Sequence, residues 1–557
     1  MRKRSNSIVA SGILTGICFL FSLFQIVYLN VDNYLLSLVI NKVYDKDHYC
    51  MFVNPVVCWI GGALHELLPN ADGYLLLTKV LLLAGIWWLG FLMARLLHGL
   101  WELFCGYSVL FLLVINASLF FDYFTIWAAF FCSVGMLLLL CQMEGETDRI
   151  QSAAGTLFLA CGFMWRIESA LLIMPFLGLD LLVVCILGAS EKKEQVGRLK
   201  KAGKILLPSV VLVVILCGID YSYKHSERYA DGVAYNNAMS TIVDFPMEDY
   251  AEVRELLPEV SSNDYAVIRM GIYADTERFD TAYALKVGNI GSSRMNPLDP
   301  GEIVRANRIL AEMVTGSKKT VFYYVILVIL LFLILLSDSK WYYRLEAVLA
   351  CLGAYAILFY FAFIGRLPLR VINSVTYGVY GLFLLLYSRM EWKQKKNLKK
   401  WMQRILFALV FCVLCLDTMS YPFIPHQSIL EVGTEADESR WKGTYEEGEL
   451  YIWEGTEYVF HPMEDFRAQG KLMTDQFMEH NVCAGCWTYG QVYFNNYLKG
   501  LGAPNPVRAL LEREKTWYVA ESPELMLGYL QEHYDEATAV RQEGRIDGVP
   551  IWRFVRE

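Results

Sequence analysis

The sequence predicts an α-helical protein that crosses a membrane many times and ends in a small α/β domain. Its 557 residues are 55% hydrophobic with a mean hydropathy of +0.36, which is too apolar for an ordinary soluble protein of this length. Apolar runs of about 18 to 20 residues, enough to cross a bilayer, recur along residues 1–421. None of these runs alternates polar and apolar residues as a membrane barrel strand does.

About eleven apolar runs are the predicted spans, and they make residues 1–421 a membrane domain. The first run follows a basic start at residues 1–4, as in a secretory signal peptide. Because the run is long and no small-residue cleavage pattern follows it, we interpret it as a retained span. The predicted spans are 8–29, 73–96, 100–119, 123–141, 153–165, 169–187, 205–221, 320–336, 345–364, 371–387 and 405–421.

The distribution of Lys and Arg predicts the orientation. With residues 1–4 on the cytoplasmic side, the basic segments at 192–204 and 393–404 fall on that side too, as the positive-inside rule requires. These clusters are therefore a topology signal, and we expect no nucleic-acid partner. The segments expected outside are the loops 30–72 and 222–319 and everything after residue 421.

The outer loops are expected to fold against the membrane domain. The first contains two amphipathic stretches, 34–40 and 55–68, of the kind that lie along a membrane surface. The loop 222–319 is expected to form several short helices.

Residues 422–557 are predicted to form a soluble α/β domain long enough to bury its own core. A strand at 515–520, a helix capped by Ser522 with Pro523 in its first position, and a closing strand at 549–554 support this prediction. Cys483 and Cys486 lie in this domain. A redox motif, a structural disulfide and unpaired thiols all remain open for them.

Ionisable residues at the outer ends of spans are the candidates for chemistry. Asp32 directly follows the first span, and a guanidinium is well suited to hold a phosphate in a bidentate manner. The alternatives are a solvated carboxylate at Asp32, an ion pair between Arg166 and Glu168, and pairing of Arg370 with lipid headgroups. The candidates from this reasoning, all expected on the outer face, are Asp32, Asp45, Asp47, His48, Asp122, Arg166, Glu168, Arg366 and Arg370.

The arrangement resembles the GT-C superfamily of membrane glycosyltransferases, whose members have an acidic residue just after the first span. Here residues 30–33 occupy the position of that acidic motif. The chain is also similar to multi-span proteins of Gram-positive bacteria. The segments that carry this similarity are 52–55, 124–125, 166–168, 235–237 with Asp244, and 365–371.

The resemblance implies a plasma-membrane enzyme of a bacterium that transfers a sugar, with inversion, from a polyprenyl-phosphate donor to a glycan or lipid of the cell envelope. Asp32 would be the general base, and Arg166, Arg366 and Arg370 would neutralise the leaving phosphate, with Asp47, His48 and Asp244 as further substrate-binding residues.

The chain departs from the superfamily pattern at Asn33, where many members have a second acidic residue. A lone carboxylate is a poor ligand set for a divalent cation, so a metal is not favoured and the cofactor stays open. Two other functions remain as alternatives: a transporter or flippase for lipid-linked glycans, and a non-catalytic assembly protein of the envelope.

Overall fold

The computed structural model describes most of the chain, and every structural statement below concerns that part. The described residues are 2–24, 28–29, 31–69, 71–97, 100–115, 118–119, 121–143, 148–189, 191–244, 249–292, 299–316, 318–390, 401–402, 404–405, 408–409, 445–455, 475–546 and 548–556.

The membrane domain is a bundle of helices, and each predicted span before residue 390 overlaps one of them. The predicted span 405–421 lies almost entirely outside the described residues, so the number of eleven stays a prediction. The bundle helices are Arg2–Phe24, Gly73–Leu96, Leu100–Leu110 with a π-helical continuation Phe111–Ile115, Phe124–Leu140, Arg149–Trp165, Ile167–Leu182 with the π-helical Val183–Leu187, Lys192–Lys224, Lys318–Leu336, Trp341–Phe363 and Leu369–Ser388.

Among the described residues, five helical segments are long and apolar enough to cross a membrane. They are Gly73–Leu96, Ile167–Leu187, Lys192–Lys224, Trp341–Phe363 and Arg370–Ser388. Shorter apolar helices are present at Ser7–Leu20, Phe124–Leu140 and Tyr324–Leu336.

The helix Phe124–Leu140 is the centre of the bundle, and all of its residues are buried. It is apolar on every side, as expected for a helix surrounded by others. It packs most extensively on Arg149–Trp165, where glycines allow close backbone contact. A Cβ atom on Gly135 would come within 2.5 Å of the Leu159 nitrogen.

The segment after the first helix is held by Asp72. Its carboxylate caps the helix Gly73–Leu96 through the Leu75 N–H (2.9 Å) and accepts hydrogen bonds from Ser37 (2.7 Å) and Asn41 (2.8 Å). These bonds tie the short helix Val31–Ile40 to the bundle. Residues 33–40 are all buried, so this helix is enclosed rather than lying with one face exposed.

The second short helix, Pro55–Leu67, begins as its sequence predicts: Asn54 caps it and Pro55 occupies the first position. Its face with Val57 and Cys58 is buried, whereas Trp59 and Ile60 are exposed. This pattern fits the predicted amphipathic helix.

The C-terminal domain contains a five-stranded sheet. Its strands, numbered after the short pair β1 (Tyr28–Leu29) and β2 (Phe121–Asp122) of the membrane domain, have the order β4-β3-β5-β7-β6. β4, β3 and β5 pair in parallel, whereas the pairs β5–β7 and β7–β6 are antiparallel. The strands are β3 (Leu450–Trp453), β4 (Asn481–Cys483), β5 (Thr516–Val519), β6 (Thr538–Ile546) and β7 (Val549–Arg556).

The described part of this domain has four helices, and the predicted unit of strand, helix and closing strand corresponds to β5, Glu524–His533 and β7. The other helices are Asp475–Met478, Val492–Gly500 and Pro506–Glu512.

The loop 222–319 forms short helices, as predicted, and packs against the C-terminal domain. The Tyr273 N–H donates to the Ala484 carbonyl at 2.8 Å. The Asp275 carboxylate accepts hydrogen bonds from the hydroxyls of Tyr529 (2.9 Å) and Tyr534 (2.8 Å). The helices are Ala230–Val243, Tyr250–Leu256, Ser262–Arg269, Thr281–Ser292 and Pro300–Thr315. The C-terminal domain is thus fixed to one end of the bundle, which we call the tail side.

Candidate functional site

Asp32 lies in the first turn of the helix Val31–Ile40, at the tail side, and is partly buried. The side chains that act on its carboxyl group electrostatically come from distant parts of the chain: Arg370, Asp244 and Arg166. The indole of Trp487, from the C-terminal domain, lies close enough to favour the ionised form of this group, although its buried N–H makes no hydrogen bond of ordinary geometry. Asp32 is therefore the meeting point of the membrane domain, the loop 222–319 and the C-terminal domain.

The environment raises the pKa of Asp32. Burial is the largest cause and favours the neutral acid, and the nearby carboxylate of Asp244 acts in the same direction. Arg370, Arg166 and the Trp487 indole favour the carboxylate and oppose the shift without cancelling it. A carboxyl group with a raised pKa is a stronger base once ionised, which is what general-base catalysis uses.

Arg366 forms an ion pair with Asp244 next to Asp32. Asp244 directly follows the helix Ala230–Val243, whereas Arg366 lies in the turn between Trp341–Phe363 and Leu369–Ser388. Gly365 has a φ of 76°, a conformation that glycine adopts without strain, and so allows this turn. The pair is about one-third exposed, at 32% for Arg366 and 27% for Asp244, so solvent or a ligand can reach it.

The three arginines are close enough to affect one another. Burial, with Arg370 and Arg166, lowers the pKa of Arg366, while Asp244 opposes the change. Because like charges repel, the presence of three guanidinium groups in one place favours the binding of an anion.

Arg166 lies between the helices Arg149–Trp165 and Ile167–Leu182. Its Nε is 2.7 Å from the Glu168 carboxylate, which is the pairing considered as an alternative from the sequence. The guanidinium also lies 5.2 Å from the ring centre of Phe52 and 5.6 Å from that of Phe124. The Phe52 ring packs edge-on against Trp487 at 4.7 Å, so aromatic side chains line this part of the site.

Trp487 is a residue that the sequence reasoning missed. Its loop is fixed to the helix Ala230–Val243, because Gln491 donates to the Gly232 carbonyl (2.8 Å) and Asn236 to the Trp487 carbonyl (3.3 Å). In the sequence Trp487 lies close to Cys483 and Cys486, a spacing that draws attention to this loop. Nothing in the sequence indicates that the loop reaches Asp32.

Two predicted site residues make their contacts elsewhere. The Asp47 carboxylate pairs with Arg228 (2.9 Å) and accepts from the Tyr229 hydroxyl (3.0 Å). His48 has its Nδ1 3.3 Å from the Lys46 carbonyl. The structure thus groups Asp32, Asp244, Arg166, Arg366 and Arg370, which we call the tail-side cluster, and gives Asp47 and His48 other partners.

Within the described residues, no three or more His, Cys, Asp or Glu side chains are arranged to hold a metal ion. The tail-side cluster offers instead a proton acceptor, guanidinium groups for an anion and aromatic surfaces for an organic ligand.

Comparisons with known proteins find only a distant structural likeness. No protein-family model matches the chain, and no curated protein matches it. Among solved structures, the chain is similar to ArnT from Cupriavidus metallidurans bound to undecaprenyl phosphate, with 13% identity and a TM-score of 0.37 over 98% of this chain and 97% of that one. The apo state of the same ArnT gives 11% identity and a TM-score of 0.37, over 98% of each chain. Likeness at this level does not establish a shared function.

Proposed function

We propose that the protein is a membrane glycosyltransferase that moves a sugar, with inversion, from a polyprenyl-phosphate donor to a glycan or lipid acceptor of the cell envelope. The observation that carries the proposal is the convergence of the tail-side cluster. Five charged residues from four separate parts of the sequence meet, and their composition suits transfer from a phosphate: guanidinium groups for the leaving group beside a carboxyl group whose pKa is raised.

The arginines would bind the donor phosphate. Arg370 is the first residue of a segment that is long and apolar enough to cross a membrane, so its guanidinium would lie at the level of the lipid phosphates. Arg366 is paired with a partly exposed Asp244 and can exchange that partner for a phosphate oxygen. As the bond to the sugar breaks, charge develops on the phosphate, and fixed guanidinium groups stabilise it.

Asp32 would be the general base. The acceptor hydroxyl loses its proton to the Asp32 carboxylate while its oxygen forms a bond to the anomeric carbon. The bond from that carbon to the phosphate oxygen breaks, and the polyprenyl phosphate leaves with the electron pair. Attack from the face opposite the leaving group inverts the anomeric configuration. The tail side would be the extracytoplasmic side, as the distribution of Lys and Arg predicts.

The test uses the full chain in liposomes with a panel of polyprenyl-phosphate sugars and an envelope lipid extract as acceptor, measuring the release of polyprenyl phosphate. We expect Asp32→Asn to lower the rate by about 10²- to 10⁴-fold, the usual contribution of general-base catalysis. Asp299→Asn is the matched control, because Asp299 is an exposed helix cap at the Gly301 N–H and Asn caps equally well.

Two results would contradict the proposal. One is an Asp32→Asn variant that releases polyprenyl phosphate as fast as the wild type. The other is movement of an intact lipid-linked sugar across the vesicle membrane without release of phosphate, which would favour the transporter alternative.

A further inference from the structure

Cys483 and Cys486 form a close thiol pair in the C-terminal domain. Cys483 is the last residue of β4, and its thiol lies within hydrogen-bonding reach of the Cys486 thiol. The Cys483 thiol also donates to the Gly485 carbonyl at 3.3 Å, and the Cys486 sulfur contacts the Thr488 hydroxyl. Both cysteines are present as thiols.

A small cavity borders this thiol pair. It lies between the helix Val31–Ile40 and the C-terminal domain, and its volume of about 20 Å³ is room for about one water molecule. Leu38 and Tyr44 line it from one side, and Cys483, Cys486 and Phe494 from the other. Each cysteine retains 7% of its surface exposed.

A second pair, Cys50 and Cys58, provides a comparison within the same chain. These two residues are 0% and 1% exposed. Burial raises the pKa of both thiols, that of Cys58 to about 12. For Cys486, burial acts in the same direction, but hydrogen bonds from Cys483, Thr488 and two backbone N–H groups outweigh it and lower the pKa. The thiolate is the reactive form, so Cys486 is the activated thiol of the four.

The thiol pair is directly connected to the tail-side cluster. Trp487, whose indole lies beside Asp32, follows Cys486 in the chain. The turn before Cys486 cannot move freely, because the Ala484 carbonyl is bonded to Tyr273 and a Cβ on Gly485 would come within 1.9 Å of the Gly271 carbonyl oxygen. When the Cys486 sulfur shifts, the displacement is therefore expected to move Trp487 rather than the fixed turn before it.

We propose that Cys483 and Cys486 form a reversible disulfide site, and that its oxidation displaces Trp487 from Asp32 and so lowers the activity of the site. The oxidant is a disulfide from solution or from a thiol–disulfide exchange protein. The Cys486 thiolate attacks one sulfur of that disulfide and releases its other half as a thiolate. The Cys483 thiol then loses its proton and attacks the Cys486 sulfur, releasing the second half. Two thiols are oxidised and one external disulfide is reduced.

The chemistry is tested first, without any assay of transfer. The full chain in detergent is equilibrated with mixtures of reduced and oxidised glutathione, quenched in acid, alkylated and analysed by mass spectrometry. We expect Cys483 and Cys486 to lose alkylation together as the mixture becomes oxidising and to regain it when the mixture is reversed, while Cys50 and Cys58 remain unchanged. Thiols that persist in every mixture, or a disulfide that reduced glutathione does not open, would overturn the proposal.

The coupling to Trp487 is tested next, by hydrogen exchange of residues 484–491 in the two redox states. We expect faster exchange in the oxidised protein and no redox dependence in C483S/C486S, whose folding is checked by gel filtration. Equal exchange in both states of the wild type would overturn the coupling.

The effect on activity rests on the proposed function. Oxidation is expected to lower transfer by about tenfold or more, because a displacement of about 1 Å can cost 10²-fold. An unchanged rate would overturn this part. If the protein transfers no sugar at all, the alkylation and exchange results still decide whether the disulfide forms and moves the loop.

Discussion

Two Arg–Asp ion pairs at different places in the membrane domain have opposite surroundings. Arg389 and Asp180 join the ends of two bundle helices, and their side chains are 4% and 0% exposed. Arg389 also lies 5.5 Å from the ring centre of Tyr343. Arg366 and Asp244 join a loop helix to a turn, are about one-third exposed, and lie beside two more arginines and Asp32.

The difference shows what each pair contributes. A buried pair is enclosed, so removing one partner leaves an uncompensated charge in an apolar environment. The tail-side cluster concentrates like charges where a ligand can reach them, which adds little to stability but suits binding and catalysis. Stability is thus expected to depend on the buried pair, and the proposed function on the exposed one.

The largest effect is expected when the buried ion pair between Arg389 and Asp180 is broken. Asp180→Asn should lower the free energy of unfolding by about 3 to 5 kcal/mol, since the Arg389 charge stays buried without its partner. The measurement is denaturant unfolding in detergent. The matched variant Asp244→Asn should cost less than about 1 kcal/mol, because its pair is partly exposed. Equal losses for the two variants would show that the pairs do not differ as described.

The pH dependence of the transfer rate tests whether Asp32 is the titrating group of the tail-side cluster. In the proposed mechanism the Asp32 carboxylate is the active form, so the rate should fall as the pH drops through the raised pKa of this residue. Arg370→Gln removes the largest contribution that lowers this pKa, and should move the acidic limb of the pH–rate profile to higher pH.

Asp244→Asn is the control with the opposite sign. It removes a carboxylate that raises the pKa of Asp32, so the limb should move to lower pH. If the acidic limb of the pH–rate profile moved in the same direction for both variants, Asp32 would be excluded as the group that titrates.

The smallest expected effect concerns Trp487. Trp487→Phe keeps the aromatic surface but removes the N–H that favours the Asp32 carboxylate, so the acidic limb should move slightly to higher pH and the rate should fall less than about tenfold. Trp517→Phe is the control, because its indole donates to the Glu543 carboxylate at 2.6 Å within the C-terminal domain. A limb displaced equally in both variants would indicate a general effect of losing an indole.

Hydropathy and charge predicted the helices and four of the five residues of the tail-side cluster, for local reasons. The run at 123–141 is apolar on every side, which is visible in the sequence, whereas its place at the centre of the bundle depends on which glycines meet. Asp32, Arg166, Arg366 and Arg370 could be proposed together because each lies at the end of a predicted span on the same side. Asp244 came only from the resemblance.

What could not be predicted depends on contacts between distant segments. The strands β3 and β4 have four and three residues, too few for a recognisable pattern. Trp487 reaches Asp32 through the docking of a whole domain. Asp47 and His48 were proposed from their place in the first outer loop, but Arg228 and Tyr229, far along the chain, compete for Asp47. Their proposed role in substrate binding stays a prediction.

The most direct test of the tail-side cluster is the binding of polyprenyl phosphate compared with the corresponding polyprenyl alcohol, measured by titration of the full chain in nanodiscs. The wild type should prefer the phosphate, and R366Q/R370Q should lose about 10- to 100-fold of that preference, since a hydrogen bond to a charged group contributes about 1.5 to 3 kcal/mol. Binding of the alcohol should not change. An equal preference for the phosphate in the wild type and the double variant would contradict the account.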